Sequence, residues 1–314
     1  MTNSDLKDSH LPILHHFEAS PFSEKIRVIF GFKRMAWQSV LIPRIMPKPD
    51  LVPLTGGYRR TPVMQIGADI FCDTRIIQRA IEARFPEPTL FPGRNGGVPD
   101  MAGVWTDRIF FGSAVLLVFG SLGDKVPQDF IDDRTKLRGA PFDVKAMAAA
   151  LPHHRDQFRA HAAMIEAQLA GGQDWLLDGF SLIDAGCYMN IWYLRSNLPE
   201  LANELLAEFP RLRDWEDRVR ALGHGMRTEL SGQDALAIAA KASPEVGAQG
   251  ASRDYEGHKV GDRVTVSADE PVKTPIEGEI VSLSAQHVAI RRRDPNLGEV
   301  VVHFPRLGYV VSGV

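Results

Sequence analysis

The feature that most constrains this chain is a change in the spacing of its apolar residues, which divides it into three regions. Strand and helix signals alternate from Ile13 to Phe91, whereas apolar residues recur at helical spacing from Val98 to about Ala240. After Asp254 the period changes to two, as in short β-strands. A chain of 314 residues is also long enough for two or three domains. We therefore predict an α/β domain, an all-helical domain and a small β domain.

The first region begins with a short strand at Ile13 to Glu18 that leads into Ser20-Pro21, a serine N-cap followed by a proline at the first helical position. The helix that follows has an apolar face, with three cations on its other face: Lys25, Arg27 and Lys33. A second strand is expected at Ser39 to Pro43, and the stretch Pro47 to Tyr58 is expected to be mostly loop. This order predicts a βαβ unit.

A hairpin and a helix complete the first region. Thr61 to Ile66 and Asp69 to Cys72 flank Gly67-Ala68, and Asp73-Thr74 then opens a helix that runs to about Phe85. Prolines at positions 86, 88 and 92 end that helix, so we place the first domain at residues 11–92.

The second domain is predicted at residues 98–242. Its expected helices run from Asp100 to about Leu122, within Asp129 to Gly139, from Phe142 to Leu169, from Ser181 onward, and from Phe209 onward. Ser181 and Asp184 form the pattern of a capping box, and we interpret both residues as structural.

The third region follows a stretch at 243–254 that is rich in Gly, Ala and Ser and is expected to be a linker. Five short strands are predicted within residues 255–314, at 263–266, 278–283, 287–293, 299–304 and 309–311. A small SH3-like barrel is the expected architecture. We expect this unit to fold independently and to be removable from the rest. A domain of about sixty residues is marginal in stability, so packing on the rest of the chain or on a second subunit is the alternative.

The overall composition argues against several classes of protein. A formal charge of −3 argues against a surface built for nucleic acid or anionic membrane. The basic run Arg291-Arg292-Arg293 lies in a nearly neutral region, as in a solvated strand face with one inward-pointing side chain. The polar start of the chain has no apolar signal-peptide core, and the apolar stretch around Ala114 to Phe119 is too short to span a bilayer. We expect no membrane or nucleic-acid partner.

The two cysteines indicate the cellular compartment of the protein and whether it holds a structural metal. Cys72 and Cys187 lie far apart among apolar neighbours, as reduced core residues do, which favours a cytoplasmic location. The sequence contains no Cys or His residues paired at the spacing of a zinc site, so we expect no structural zinc.

Three features of the first domain combine into a candidate binding site. Ser20-Pro21-Phe22-Ser23 lies where a strand passes into a helix, and the free amides and positive dipole end of a helix start stabilise an anion or a thiolate. A cis bond at Thr61-Pro62 would expose the Thr61 backbone to pair with a peptide-like ligand. Asp73-Thr74 opens the next helix, where a hydroxyl and free amides can hold a carboxylate.

These motifs, in this order and spacing, resemble the cytosolic glutathione transferases. The first domain resembles their thioredoxin-like half and the second their all-helical half, over roughly residues 11 to 240. The matching features are Ser-Pro-Phe-Ser, Thr-Pro-Val, the pair Asp73-Thr74, Ser181-x-x-Asp184, and the run from Pro210 to Trp215. The C-terminal β region lies outside the resemblance.

The resemblance implies a role for each site residue. Ser20 would hydrogen-bond the glutathione sulfur and lower its pKa, and Thr61 with Pro62 would pair with the cysteinyl backbone. Asp73 with Thr74 would hold the γ-glutamyl group, and Phe22 joins the glutathione-binding set. Omega-like classes have a cysteine where this chain has Ser20. Because a serine cannot form a mixed disulfide, activation of a bound thiolate is favoured over thiol-transferase chemistry.

The function that the resemblance implies is attack of glutathione on a small hydrophobic electrophile, by a homodimer and without a metal. The alternative is a non-catalytic binding module whose β region recruits a protein partner, because a fold does not fix a function. Simple structural roles also remain open: Ser20 and Asp73-Thr74 as helix caps, Ser23 as a solvated residue, and Trp105, Phe110 and Phe111 as core.

Overall fold

The computed structural model describes residues 11–94, 96–245 and 254–314. The expectations for Met1 to His10 and for positions 246–253 of the predicted linker lie outside the described residues.

The first domain has the predicted thioredoxin-like order. Its elements are β1 (Ile13–His16), α1 (Pro21–Phe32), β2 (Ala36–Leu41), α2 (Val52–Thr55), β3 (Val63–Ile66), β4 (Asp69–Cys72) and α3 (Thr74–Arg84). Strand β1 pairs in parallel with β2 and antiparallel with β3, and β3 pairs antiparallel with β4. The N-terminal ends of α1 and α3, which carry the candidate residues, therefore both follow strands of one sheet.

The second domain is helical, as predicted. Its helices are α4 (Val98–Val104), α5 (Phe111–Leu122), α6 (Gln128–Arg138), α7 (Val144–Ala149), α8 (Leu151–Gln168), α9 (Leu182–Asn197), α10 (Pro199–Leu206) and α11 (Pro210–Ala221). A π-helical segment, Trp105–Phe110, joins α4 to α5, and the single long helix expected from Phe142 is two helices, α7 and α8. The capping box is confirmed, with the Ser181 amide donating to the Asp184 carboxylate at 2.9 Å.

The run Val98–Lys125 is the one helical stretch among the described residues that is long and apolar enough, by length and composition, to cross a membrane. The sequence predicts a continuous helix here, from Asp100 to about Leu122, but its most apolar part, around Ala114 to Phe119, is much shorter than the whole run. Phe110, Ala114 and Leu117 of this run are fully buried in the main core, as in the central helix of a helical domain.

The end of the second region contains a strand that its helical pattern does not predict. Strand β5 (Met226–Glu229) pairs in parallel with β2 and is followed by α12 (Gly232–Lys241). The Trp37 indole of β2 donates to the carbonyl of His224 at 2.7 Å, just before β5. The chain thus returns from the helical domain to the edge of the first domain's sheet.

The five predicted C-terminal strands are present. They are β6 (Arg263–Ala268), β7 (Ile276–Leu283), β8 (His287–Asp294), β9 (Gly298–Pro305) and β10 (Tyr309–Gly313). Strands β6 to β9 form an antiparallel meander, and β10 returns to pair with β6.

The sequence predicted that these strands form a separate unit. In the structure they continue the sheet of the first domain. Strand β9 pairs in parallel with β4, so a single ten-stranded sheet runs in the order β10-β6-β7-β8-β9-β4-β3-β1-β2-β5. Ile70 and Val63 of the first domain share one buried cluster with Val300, Val302 and Phe304. The physical reason is that β4 would otherwise be an open edge, which β9 covers.

Polar contacts reinforce this junction. The His303 imidazole lies 2.9 Å from Asp69 Oδ1 and 3.0 Å from the ring of His287, and both His303 and Asp69 are buried. The Arg292 guanidinium donates to the carbonyl of Pro53 at 2.5 Å. One arginine of the basic run therefore contacts the first domain, in line with the predicted strand face that has one inward-pointing side chain.

Candidate functional site

A cavity of about 890 Å³ lies between the first domain, the helical domain and the loop before β7. Ser20, Phe22 and Thr61 line it, as do Glu270 and Pro271 of that loop. Its helical wall is largely apolar and is formed by residues including Phe111, Val115, Leu116, Phe119, Phe130, Phe142 and Met147. A volume of this size is typical of small-molecule sites.

Ser20 is the N-cap of α1, as predicted. Its Oγ accepts a hydrogen bond from the Ser23 amide at 3.2 Å, and Pro21 occupies the first helical position. This bond uses a lone pair of the hydroxyl, so the O–H proton remains available to a ligand in the cavity. The turn combines that donor with the positive end of the helix dipole.

The structure corrects the expectation for two other features of α1. Ser23 is fully buried, not solvated, and its Oγ has no hydrogen-bond partner among the described residues. The cations on the other face of the helix are also buried, Lys25 against the helical domain and Lys33 against the first domain's own residues Glu82, Phe85 and Pro88. Lys25 pairs with Asp107 at 2.8 Å and Lys33 with Glu82 at 2.8 Å.

Thr61-Pro62 is a cis peptide bond, as predicted. It precedes β3, and Thr61 lines the cavity, whereas Pro62 is buried. The Lys48 ammonium donates to Thr61 Oγ1 at 3.0 Å and to the carbonyl of Arg59 at 2.8 Å. A cation is therefore held beside the strand edge at which a peptide-like ligand would pair.

Asp73 and Thr74 open α3 as predicted, but neither is among the described residues that line the cavity. Asp73 is the N-cap, with Oδ1 accepting from the Arg75 amide at 2.9 Å, and its φ of 93° is in a region that non-glycine residues rarely adopt. Burial raises the pKa of its carboxyl. Asp73 Oδ2 also lies 3.3 Å from the Tyr309 hydroxyl of β10, which the sequence did not predict.

Cationic residues of the cavity were also missed by sequence reasoning. They are Arg44, Lys48, Arg59, Arg60, Arg108, Arg134 and Arg138. They come from loops and helices that are distant in the chain, so no local motif marks them. Within the described ranges 11–94, 96–245 and 254–314, no group of three or more His, Cys, Asp or Glu side chains is arranged to hold a metal ion.

Comparison with known proteins agrees with this architecture. Residues 14–89 match the glutathione S-transferase N-terminal domain, and residues 148–218 match the glutathione S-transferase C-terminal domain. No curated protein matches the chain.

Solved structures extend the match to the whole chain. A GST-like protein from Pseudomonas syringae is 35% identical, with 98% of this chain and 100% of that one covered and a TM-score of 0.82. FzlA from C. crescentus, at 23% identity, covers 75% of this chain and 94% of its own with a TM-score of 0.52.

A third structure carries a ligand. It is a glutathione S-transferase from Methylobacterium radiotolerans in complex with glutathione sulfonate, 22% identical, with 67% and 90% of the two chains covered and a TM-score of 0.50. The last two likenesses concern the fold, whereas the first covers the full length, including the C-terminal strands, at substantial identity. This chain therefore belongs to the glutathione S-transferase family.

Proposed function

We propose that this protein is an enzyme that activates the thiol of glutathione for attack on a small, largely apolar electrophile. The observation that carries the proposal is the position of Ser20: its hydroxyl caps α1, retains a proton to donate, and lines a cavity whose helical wall is largely apolar. A hydroxyl donating to a thiolate, at the positive end of a helix, stabilises the charged form of the sulfur.

The expected strength of this activation is modest. A hydrogen bond to a charged group contributes about 1.5–3 kcal/mol, which corresponds to a fall of about one to two units in the thiol pKa. The thiol proton leaves to water, the thiolate sulfur bonds to the electrophilic carbon, and the electron pair of the broken bond departs with the leaving group.

Both ends of the tripeptide have matching groups along its predicted path. The carboxylate of Asp73 and the free amides at the start of α3 suit the ammonium and carboxylate of the γ-glutamyl end. The cysteinyl backbone would pair with Thr61, and the buried Lys48 ammonium beside it suits the glycyl carboxylate. An extended pose between the starts of α1 and α3 uses all of these groups.

A homodimer is part of the proposal, since members of this family pair the first domain of one subunit with the second domain of the other. An apolar stripe on the long helix supports it: Met101 and Ile109 are 65% and 61% exposed, and Val98 and Val104 lie on the same run. Exposed apolar residues at helical spacing are typical of a surface that another chain covers.

The proposal is tested by titrating the protein with glutathione by calorimetry, and by following thiolate absorbance of the complex against pH. We expect binding at or below millimolar glutathione and a bound-thiol pKa below that of free glutathione. Absence of binding at millimolar glutathione would contradict the enzymatic function and leave the binding-module alternative. Binding with an unchanged thiol pKa would contradict the role of Ser20.

A further inference from the structure

The cavity carries more positive charge than its carboxylates balance. Of its seven cations, Arg60 pairs with Glu270, and Arg59 pairs with Asp133, which lies just outside the lining. The other lining carboxylate, Asp143, accepts from the Lys145 and Ala146 amides at the start of α7.

Arg44 and Arg134 form the core of this excess. Arg134 lies 3.6 Å from Asp133, whose carboxylate already pairs with Arg59, and Arg44 forms no ion pair with any residue in the described part of the chain. The two guanidinium groups lie over the same ring, Phe130, at 5.3 Å for Arg44 and 4.6 Å for Arg134. Cation–π contact holds both groups near this ring although their charges repel, and the Arg134 guanidinium also donates to the carbonyl of Arg44 at 3.1 Å.

The surroundings of Lys48 show the same excess of positive charge. This lysine is buried and donates only to oxygens that carry no charge, in Thr61 and Arg59. Burial, with Arg134 and Arg59 nearby, lowers the pKa of Lys48 to about 8. Burial lowers the pKa of Arg134 as well, with Arg59 and Arg44 nearby adding to the effect and the Asp133 carboxylate opposing it. A bound anion would relieve this repulsion. The glycyl carboxylate of glutathione would neutralise Lys48, which leaves the positive charge of Arg44 and Arg134 for a second anionic group.

We propose that the electrophile is a carboxylate: an apolar ring or chain whose acid group is held by Arg44 and Arg134 while its reactive carbon faces the sulfur beside Ser20. This inference rests on the proposed function and names its substrate class. The planar guanidinium fork matches a carboxylate in geometry as well as charge. The neighbouring walls, Phe119, Phe130 and Phe142, suit the apolar body.

Glutathione itself does not account for Arg44 and Arg134. Its two carboxylates have separate candidate partners at the start of α3 and at Lys48, both on the first domain. Arg134 belongs to α6 of the helical domain, and Arg44 follows β2 and stacks on the ring of that same helix. The pair therefore faces the part of the cavity left for the second substrate.

The experiment compares two aryl chlorides of the same shape, 4-chloro-3-nitrobenzoate and its neutral methyl ester. In each reaction a carbon–sulfur bond forms, the carbon–chlorine bond breaks, chloride leaves with the electron pair, and the thiol proton goes to buffer. For each compound kcat/KM is divided by the rate of the uncatalysed reaction with glutathione, which removes the difference in intrinsic reactivity. The binding of each aryl chloride is measured by calorimetry with and without glutathione.

We expect the wild-type protein to favour the carboxylate over the ester at least tenfold in normalised kcat/KM and in affinity. Arg44→Leu and Arg134→Leu should each reduce that ratio about tenfold, and Arg134→Lys should retain part of it. Arg155→Leu, at a half-exposed arginine on α8, should leave the ratio unchanged. The ratio is insensitive to a general loss of folded protein, because both substrates share the enzyme sample.

The outcomes separate this inference from the proposed function. Equal or better use of the ester, with glutathione bound, overturns the anionic substrate class and leaves the transferase function standing. Failure to bind glutathione overturns the proposed function, and the carboxylate affinity measured without glutathione then decides whether Arg44 and Arg134 hold an anion. A preference for the carboxylate that survives both leucine variants overturns the assignment to these two arginines.

Discussion

The hydroxyl of Tyr309 lies 3.3 Å from Asp73 Oδ2 and 3.3 Å from the hydroxyl of Tyr58, so the last strand of the chain contacts the candidate γ-glutamyl site. Burial raises the pKa of both phenols well above the ordinary value, which keeps them protonated and able to donate. A residue from outside the family's two usual domains thus contributes to the environment of a predicted binding residue.

The first prediction concerns this contact. Tyr309→Phe removes the donor to Asp73 and leaves a partly buried carboxylate less satisfied, so we expect glutathione to bind about three- to tenfold more weakly, from the loss of about one hydrogen bond. Calorimetry measures the change, and Tyr255→Phe, at an exposed tyrosine, is the matched control. Tighter binding by the Tyr309 variant would instead show that the phenol competes with glutathione for Asp73.

The second prediction separates the two serines of the Ser-Pro-Phe-Ser turn. Ser20→Ala removes the proposed donor to the sulfur and should reduce turnover by about tenfold or more while changing glutathione affinity little, because the γ-glutamyl contacts remain. Ser23→Ala removes a buried hydroxyl that has no partner among the described residues and retains the backbone amide. Equal effects of the two substitutions on kcat and on bound-thiol pKa would assign the activation to the backbone amides of α1.

The third prediction tests the dimer. Ile109→Glu places a charge in the exposed apolar stripe of the long helix, and we expect it to shift the protein from dimer to monomer in light scattering at micromolar concentration. Met164→Glu changes an exposed apolar residue on a different helix, α8, and serves as the control. A wild-type protein that is already monomeric, near 34.8 kDa, would contradict the proposed homodimer.

The fourth prediction is a loss of stability in mild acid. Burial lowers the pKa of His15 to about 4, and burial with Arg27 nearby lowers that of His16 to about 3. The unfolded chain takes up these protons near pH 6.5 but the folded chain does not, so their contribution is complete above pH 6.5 and is lost as the pH falls toward 4.

At pH 5 we expect each of these histidines to reduce the free energy of unfolding by about 2 kcal/mol. Urea unfolding at pH 7 and pH 5 measures the difference. His15→Gln should flatten the pH dependence, even if it lowers stability at pH 7, whereas His153→Gln, at an exposed histidine, should not. An unchanged slope in His15→Gln would show that other groups govern acid unfolding.

Local signals in the sequence predicted the elements well, because their causes are local. Ser20 with Pro21 begins α1, and the Ser181–Asp184 pair caps α9, through hydrogen bonds that span three residues. The burial of Lys25 was not predictable, because its partner Asp107 lies 82 positions away. The pairing of β9 with β4 and the contact between Tyr309 and Asp73 have the same origin, since each depends on tertiary packing and not on periodicity.

The same dependence on tertiary packing explains why only part of the predicted site lines the cavity. The three motifs predicted helix starts and a strand edge, and the structure forms all three. Only packing decides which of them share a cavity, and there Ser20 and Thr61 are joined by Arg44 and Arg134. Sequence periodicity carries no information on that set.

The last prediction concerns removal of the C-terminal strands. The shared sheet and core predict that a chain ending at Ala242 loses its cooperative thermal transition, or becomes insoluble, because Ile70 and Val63 lose their packing partners and β4 becomes an open edge. Differential scanning calorimetry and solubility after expression measure this outcome.

Point substitutions at the junction provide the control for so large a deletion. His303→Ala removes the imidazole partner of the buried Asp69 carboxylate, which keeps its hydrogen bond from the Glu245 amide at 2.8 Å, and we expect a loss of about 1–3 kcal/mol in the free energy of unfolding. The double variant with Asp69→Asn should recover part of this loss, because the unpaired charge is then absent. A truncated chain that melts cooperatively and binds glutathione like the full chain, together with a neutral His303→Ala, would establish the strands as a separate unit after all.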